Sequence, residues 1–145
     1  KRGHSIARIQ VKPTIGNIFL WKSIYESNGY FYTDGIGLYP IQKIHEGEKT
    51  KKLNIDEDFS WLNKESQQAK DIKRFEWFSS GYIAVSKNNP NHIIDIRYSM
   101  LPNEIAGLWG IELKMNAGKE EHINYITNRS LSRSKLNELW ELFKN

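Results

Sequence analysis

The dipeptide Asn28-Gly29 is the sequence feature that most restricts the possible fold of this chain. It lies between two runs that are rich in β-branched and aromatic side chains. Asn-Gly favours a two-residue type I′ turn, because both central residues of that turn need a positive φ. The sequence therefore predicts an antiparallel hairpin with Tyr25 opposite Tyr32 and Trp21 opposite Ile36.

The rest of the chain alternates strand-like and helix-like patterns. Further strands are predicted near residues 41–45, 74–87, 92–100, 108–115 and 121–128, and helices near 57–72 and 133–144. These elements predict an α+β fold with a curved, mainly antiparallel sheet of about six to seven strands and two helices. Residues 1–16 are predicted to be a basic lead-in with one helical turn or an edge strand, and residues 17–145 a single soluble domain.

Local patterns give finer expectations for these elements. Both faces of residues 18–21 are apolar, so this strand should be covered on both sides. EGEKTKK predicts a charged loop, and Ser79-Ser80-Gly81 predicts a bulge.

The two helices and the strand at 108–115 have predicted inward faces. Asp56 or Asp58 would cap the first helix, whose apolar stripe is Phe59, Leu62, Ala69 and Ile72. The strand should direct inward Trp109, Ile111, Leu113 and Met115. The last helix should lie on the sheet through an apolar stripe that includes Leu136 and Trp140.

Composition excludes several classes of protein. The chain has 145 residues, no Cys and a formal net charge of +4. Disulfides and thiolate metal sites are thus impossible, and no apolar run is long enough to span a bilayer. The four His residues are isolated, without a metal-ligand spacing, and no nucleophile elbow or phosphate-binding loop occurs. We therefore predict no metal ligand and no catalytic residue in this chain.

Basic residues cluster at the amino terminus. Lys1, Arg2, Arg8 and Lys12 occur there without an acidic residue between them. Such a cluster is typical of solvated surface, or of a segment beside the cytoplasmic face of a membrane. Nucleic acid is the competing partner for a basic, aromatic-rich chain. The stretch SSGYIAV matches an RNA-binding signature poorly, which disfavours nucleic-acid binding.

Four charged residues form the candidate interaction surface. Asp95 and Arg97 share one face of a predicted strand, and Glu112 and Lys114 share one face of the next. This pattern indicates either a solvated set of cross-strand ion pairs or a recognition surface.

Three stretches, in the order in which they occur along the chain, resemble the carboxy-terminal region of the YdjM-like membrane-bound metal-dependent hydrolases of bacteria. They are PTIGNIFLWKSIY, FEWFSSGYIAV and IIDIRYSM, which match the family's patterns PTxxNxxLWR, WFSxGxY and DLRY. The matching positions include Pro13, Thr14, Asn17, Leu20, Trp21 and Lys22; Trp77, Phe78, Ser79, Gly81 and Tyr82; and Asp95, Ile96, Arg97 and Tyr98. Lys22 stands where the family usually has Arg, and it keeps the charge without the planar fork.

The resemblance implies an accessory domain of an inner-membrane hydrolase. In that family a membrane-embedded half carries the proposed metal ligands, so the divalent metal would belong to a part preceding Lys1. This chain would then hold no cofactor and would lie in the cytoplasm. Its partners would be its own membrane helices and, through the basic amino terminus, the membrane surface. Two alternatives stay open: a stand-alone binding module for an anionic ligand or nucleic acid, and a small self-sufficient hydrolase.

Overall fold

A computed structural model describes residues 2–14, 16–128 and 132–144. The described elements are β1 (Arg8–Thr14), β2 (Asn17–Ser27), β3 (Tyr30–Gly37), β4 (Lys43–Lys51), α1 (Ile55–Asp58), α2 (Gln67–Phe78), β5 (Ile83–Val85), β6 (His92–Asp95), β7 (Trp109–Glu112), β8 (Asn124–Thr127) and α3 (Arg133–Lys144). The fold is α+β, as predicted, but the eight described strands form two antiparallel four-stranded sheets, β1–β4 and β5–β8, in sequence order. The expected count of six to seven strands in one sheet was slightly wrong.

The contacts divide the chain into two compact units. Unit 1 consists of residues 1–51, 98–106 and 129–145, and unit 2 of residues 52–97 and 107–128. Each unit contains one of the two sheets. Unit 1 also contains α3, and unit 2 contains α1 and α2.

The predicted hairpin is confirmed in unit 1. Asn28 and Gly29 have φ values of 50° and 76°. Tyr25 pairs with Tyr32, and Trp21 pairs with Ile36. The turn chemistry at this point was therefore sufficient to set the register of β2 against β3.

The strands that flank this hairpin, β1 and β4, were only partly predicted from the sequence. Residues 8–14 form the edge strand β1, one of the two possibilities left open. The segment EGEKTKK, expected as a charged loop, belongs to β4, because an edge strand tolerates charged side chains that face water. Ile18 and Phe19, expected to be covered, are exposed.

A nonlocal segment, residues 98–106, is hydrogen-bonded to the sheet of unit 1. Thr33 Oγ1 donates to the Pro102 carbonyl oxygen at 2.8 Å. The Glu48 amide donates to the Asn103 carbonyl oxygen at 3.0 Å. A Cβ at Gly47 would lie 2.2 Å from that same oxygen, so only glycine permits this approach.

Helix α3 has the predicted bounds, but its apolar stripe is only partly covered. It begins after Ser132, whose Oγ accepts from the Lys135 amide at 3.2 Å. The helix contacts β2 and β3. Leu136 and Trp140, expected to face the sheet, remain largely exposed.

Unit 2 is organised around an apolar core between α2 and its sheet. The core residues are Phe59, Leu62, Ala69, Ile72, Phe75, Ile83, Ile93, Ile111, Leu113 and Ile123. Of the four apolar side chains expected to face inward on residues 108–115, Ile111 and Leu113 are buried and Trp109 is half-buried, whereas Met115 is exposed.

The predicted helix over residues 57–72 was placed wrongly. The short helix α1 is capped by Asn54, whose side chain accepts from the Asp56 amide. The predicted caps, Asp56 and Asp58, lie within the helix. The main helix, α2, starts after Ser66, whose Oγ accepts from the Ala69 amide at 3.2 Å. The predicted apolar residues are nevertheless buried, since the turns between α1 and α2 direct them into the same core.

The strand expected from residue 74 to 87 is also corrected. Helix α2 continues to Phe78, and β5 begins only at Ile83. Ser80 and Gly81 have φ values of 52° and 71°, and the Gly81 amide donates to the Glu76 carbonyl oxygen at 2.8 Å. The expected bulge is thus a left-handed helix end, which satisfies carbonyl groups of the last turn.

Candidate functional site

Asp95 and Arg97 form a buried ion pair at the end of β6. The Asp95 side chain is 0% exposed, and that of Arg97 is 10% exposed. Arg97 Nε donates to Asp95 Oδ1 at 2.9 Å and Arg97 Nη2 to Asp95 Oδ2 at 2.6 Å. Trp109 Nε1 donates to the same carboxylate at 3.2 Å. The expectation of a solvated charged face is therefore wrong at Asp95, which lies in the interior of unit 2.

The second and third family-motif stretches meet at this ion pair. Arg97 Nη2 also donates to the Phe78 carbonyl oxygen at 3.1 Å, at the end of α2. The Ile96 amide donates to the Tyr82 carbonyl oxygen at 3.0 Å. Arg97 therefore connects the carboxyl end of α2 to the end of β6, where a cation is favoured by the helix dipole.

The remaining motif residues of this region form the turn after α2. Ser79 is 0% exposed, and its Oγ has no hydrogen-bond partner among the described residues. Gly81 has a positive φ, and Tyr82 is buried. Ser79 is therefore not accessible to a substrate, and this turn has a conformational role.

Glu112 and Lys114, the other half of the predicted surface, lie at a different place and have other partners. Glu112 accepts from Asn124 Nδ2 at 3.1 Å and lies 3.2 Å from His92 Nε2. These hydrogen bonds lower the pKa of Glu112, with the one from Asn124 contributing most. Lys114 Nζ forms an ion pair with Glu121 at 2.7 Å. The four predicted residues thus divide into a buried pair and an exposed cross-strand group.

The first family-motif stretch lies in unit 1 and supports the end of its sheet. Pro13 is paired with Trp21, and Thr14 Oγ1 donates to the Leu20 carbonyl oxygen at 2.9 Å. Trp21 Nε1 donates to the Ile18 carbonyl oxygen at 2.8 Å. Asn17 begins β2, and its side chain is outside the described part of the structure.

Lys22 is the buried cation of unit 1. It is 4% exposed, and no local pattern predicted this burial. Its Nζ donates to Ser99 Oγ and to the Glu104 carbonyl oxygen, each at 2.6 Å. Both partners belong to the segment 98–106, so Lys22 fixes this segment on the sheet. The missing arginine fork is not needed, since these two acceptors lie on separate residues.

The basic amino terminus is largely neutralised within unit 1. Arg2 Nη2 bonds Asp34 Oδ1 at 2.8 Å, and Arg8 Nε bonds Glu26 Oε2 at 2.7 Å. Lys12 Nζ lies 4.3 Å from the centre of the Tyr98 ring. These cations therefore carry less free charge toward a membrane than the sequence suggested.

A cavity of about 300 Å³ opens beside these residues. Its lining includes Arg2, His4, Tyr25, Asp34 and Glu46. His4 Nδ1 lies 3.1 Å from the Tyr25 hydroxyl. Because Asp34 already binds the Arg2 guanidinium, the wall is not arranged to hold an anion. No sequence pattern predicted this cavity, which Tyr25 of β2 helps to line.

A second buried acid, Asp71, was not predicted from the sequence. Asp71 on α2 accepts from Gln67 Nε2 at 2.9 Å and lies 2.8 Å from His122 Nδ1. Burial opposes its negative charge, but hydrogen bonds from Gln67, His122 and the Ile123 amide outweigh burial and lower its pKa. The pair has the geometry of an acid–base dyad. Among the described residues, no three His, Asp or Glu side chains are grouped to hold a metal ion.

Comparison with known proteins adds no assignment. No protein-family model, curated protein or solved structure matches this chain. In the described ranges, no helix combines the length and the hydrophobicity needed to cross a membrane.

Proposed function

We propose that this chain is a noncatalytic accessory domain of a membrane-bound metal-dependent hydrolase of the YdjM-like type. The observation that supports this most is the meeting of two motif stretches that are separate in the sequence. Arg97 bonds both Asp95 and the Phe78 carbonyl oxygen. The second and third of the three stretches that carry the resemblance thus act together as one folded part of unit 2.

The roles of these residues favour support and binding over chemistry. Asp95 and Ser79 are fully buried, so neither meets a substrate. Lys22 is held by two acceptors of a neighbouring segment. In this proposal the hydrolytic reaction, and the divalent metal that assists it, belong to the membrane part of the parent enzyme. No reaction step is assigned to this chain.

The coding sequence upstream of Lys1 tests the proposal directly. We expect several apolar segments long enough to span a bilayer, with His and Asp clustered near their ends. A water-soluble upstream domain without such segments would rule out the proposed parent.

An activity screen of the purified chain gives the second test. Phosphate monoesters and carboxylic esters would be assayed with Zn²⁺, Mn²⁺ or Mg²⁺, and bound metal would be measured by elemental analysis. We expect neither turnover nor stoichiometric metal. Turnover that disappears in His122→Ala, but not in the control variant His92→Ala at a half-buried position, would instead identify a self-sufficient hydrolase built on Asp71 and His122.

A further inference from the structure

The exposed face of α2 combines large aromatic side chains with several cations. Trp77 is 84% exposed and Phe78 is 57% exposed, the former being the most exposed large hydrophobic residue described. Lys70, Lys73 and Arg74 are exposed on the same helix. Two adjacent exposed aromatic side chains form an apolar patch, and such a patch beside polar residues is typical of an interaction surface.

Helical geometry places these side chains on one face. At 3.6 residues per turn, Lys70, Lys73, Arg74 and Trp77 lie within an arc of about 100°, with Phe78 at its edge. The opposite face carries the buried residues Ala69, Ile72 and Phe75, among others. Glu76 is the one acidic residue exposed on α2, and it projects about 100° away from Trp77.

The cations of this face are available to a partner. In the part of the chain that the structure describes, Lys70, Lys73 and Arg74 form no ion pair. By contrast, Arg2 and Arg8 at the amino terminus are each bonded to a carboxylate. The positive charge on α2 is therefore less neutralised than that of Arg2 and Arg8.

We infer that this face of α2, made of Lys70, Lys73, Arg74, Trp77 and Phe78, binds an anionic lipid surface. Lys and Arg are attracted to acidic headgroups, and aromatic side chains enter the interfacial region between headgroups and acyl chains. A short helix whose exposed end carries both kinds of residue suits such a surface. This inference concerns the isolated chain and does not depend on the proposed parent enzyme.

Nucleic acid is the less suitable partner because Phe78 lacks a free ring face. The Arg97 guanidinium carbon lies 5.8 Å from the centre of the Phe78 ring, and the Phe75 ring is stacked 6.5 Å from it. A base needs an open ring face for stacking, whereas insertion between headgroups needs only an exposed edge. Trp77 alone could then stack, which is little for a nucleic-acid platform.

Vesicle flotation tests the inference with the complete 145-residue chain. The probes are vesicles of phosphatidylcholine alone and of equal parts phosphatidylcholine and phosphatidylglycerol, at low and at high salt. We expect binding to the anionic vesicles that weakens with salt, and little binding to the neutral ones. Equal binding to both vesicle types, or no binding at low salt, would overturn the inference.

Two variants locate the binding face. The triple variant Lys70→Glu, Lys73→Glu, Arg74→Glu should lower partition at least about tenfold, since each cation contributes to attraction at an anionic surface. Its matched control is Lys43→Glu, Lys119→Glu, Arg133→Glu, which changes the net charge equally at other exposed positions and should bind more tightly than the α2 variant. Equal losses in both would show that only net charge matters, which contradicts the assignment to α2.

The aromatic part is tested by Trp77→Ala against Trp140→Ala, an exposed Trp on α3. We expect a several-fold loss of vesicle binding for the first and none for the second. All variants change exposed positions, and circular dichroism would verify their folding. Tighter binding of the wild-type chain to a single-stranded oligonucleotide than to the anionic vesicles would favour a nucleic-acid site instead and overturn the inference.

Discussion

The two units stabilise their sheets by different means. Unit 2 packs α2 on its sheet through ten buried apolar residues and has its buried charge, Asp95, paired with Arg97. In unit 1 the segment 98–106 is attached to the sheet through hydrogen bonds from Thr33, Lys22 and the Glu48 amide. Apolar packing tolerates small shifts, whereas a hydrogen bond at a buried group requires its partner. Each unit should therefore depend on the partners of one buried charge, Asp95 in unit 2 and Lys22 in unit 1.

The largest effect is expected for Arg97→Ala in unit 2. This change leaves the Asp95 carboxylate buried without its cation, which should lower the free energy of unfolding by about 3–5 kcal/mol. Urea unfolding followed by circular dichroism measures it. The matched control is Arg74→Ala on the exposed face of α2, with an expected change within about 0.5 kcal/mol. A loss below about 1 kcal/mol for Arg97→Ala would mean that the pair is solvated, as the sequence had suggested.

The corresponding change in unit 1 is Lys22→Met, which keeps the aliphatic stem. It removes the donor to Ser99 Oγ and to the Glu104 carbonyl oxygen. Leaving these acceptors unsatisfied should cost about 2–3 kcal/mol. Hydrogen exchange should show faster exchange of the Ile105 amide, which lies in the attached segment. Lys43→Met, an exposed lysine of the same sheet, is the control, and equal losses in the two variants would contradict the fixing role of Lys22.

The two ends of α2 allow a sharper comparison within unit 2. Ser66 and Ser79 are both buried, but Ser66 Oγ accepts from the Ala69 amide, whereas Ser79 Oγ has no partner among the described residues. Ser66→Ala should therefore cost about 1 kcal/mol. Ser79→Ala should be neutral, or stabilising by a few tenths of a kcal/mol, because it removes a buried unsatisfied hydroxyl. Calorimetric melting temperatures would separate the two, and a loss at Ser79 equal to that at Ser66 would reveal a hydrogen bond of its hydroxyl.

The smallest effect that we expect is a difference between the two units in how their stability depends on pH. Burial lowers the pKa of His45 in unit 1 from 6.5, with repulsion from Lys43 adding to it and a hydrogen bond to the Leu142 backbone opposing it. Because the unfolded state then binds the proton more readily, unit 1 should lose stability as the pH falls below 6.5.

In unit 2, Asp71 makes stability depend on pH in a more acidic range than in unit 1. Its pKa is lowered from 3.8, so the stability that it contributes is present above that pH and is lost as the pH falls through the lower value of the folded state. Hydrogen exchange at pH 5 and at pH 7 should therefore differ more for β3 and β4 than for β6 and β7. His45→Gln should abolish the difference between pH 5 and pH 7 in unit 1, and Asp71→Asn should abolish the loss of stability of unit 2 below pH 3.8. A dependence that persists in both variants would assign it to other groups.

Some expectations from the sequence depended only on neighbouring residues, and these hold. The Asn28-Gly29 turn set the register of the hairpin, and the apolar spacing near the carboxyl end set the bounds of α3. The helix boundary around residues 74–81 failed, because RFEWFSSGY alternates apolar and polar residues well enough to resemble a strand. Burial of Phe75 beside Ile72 stabilises the helix there, and this contact is not visible in the local pattern.

The sequence by itself determined the α+β class, the hairpin with its register and the bounds of α3, because turn chemistry and apolar periodicity act over a few neighbouring positions. Only the tertiary structure decided that the strands form two sheets, that Asp95 and Lys22 are buried, and that Trp77 faces water. The environment of a charge or of an aromatic ring depends on which distant segment packs against it. Residues 98–106 and the end of α2 supply those contacts to Lys22 and to Arg97, and neither can be located from local sequence.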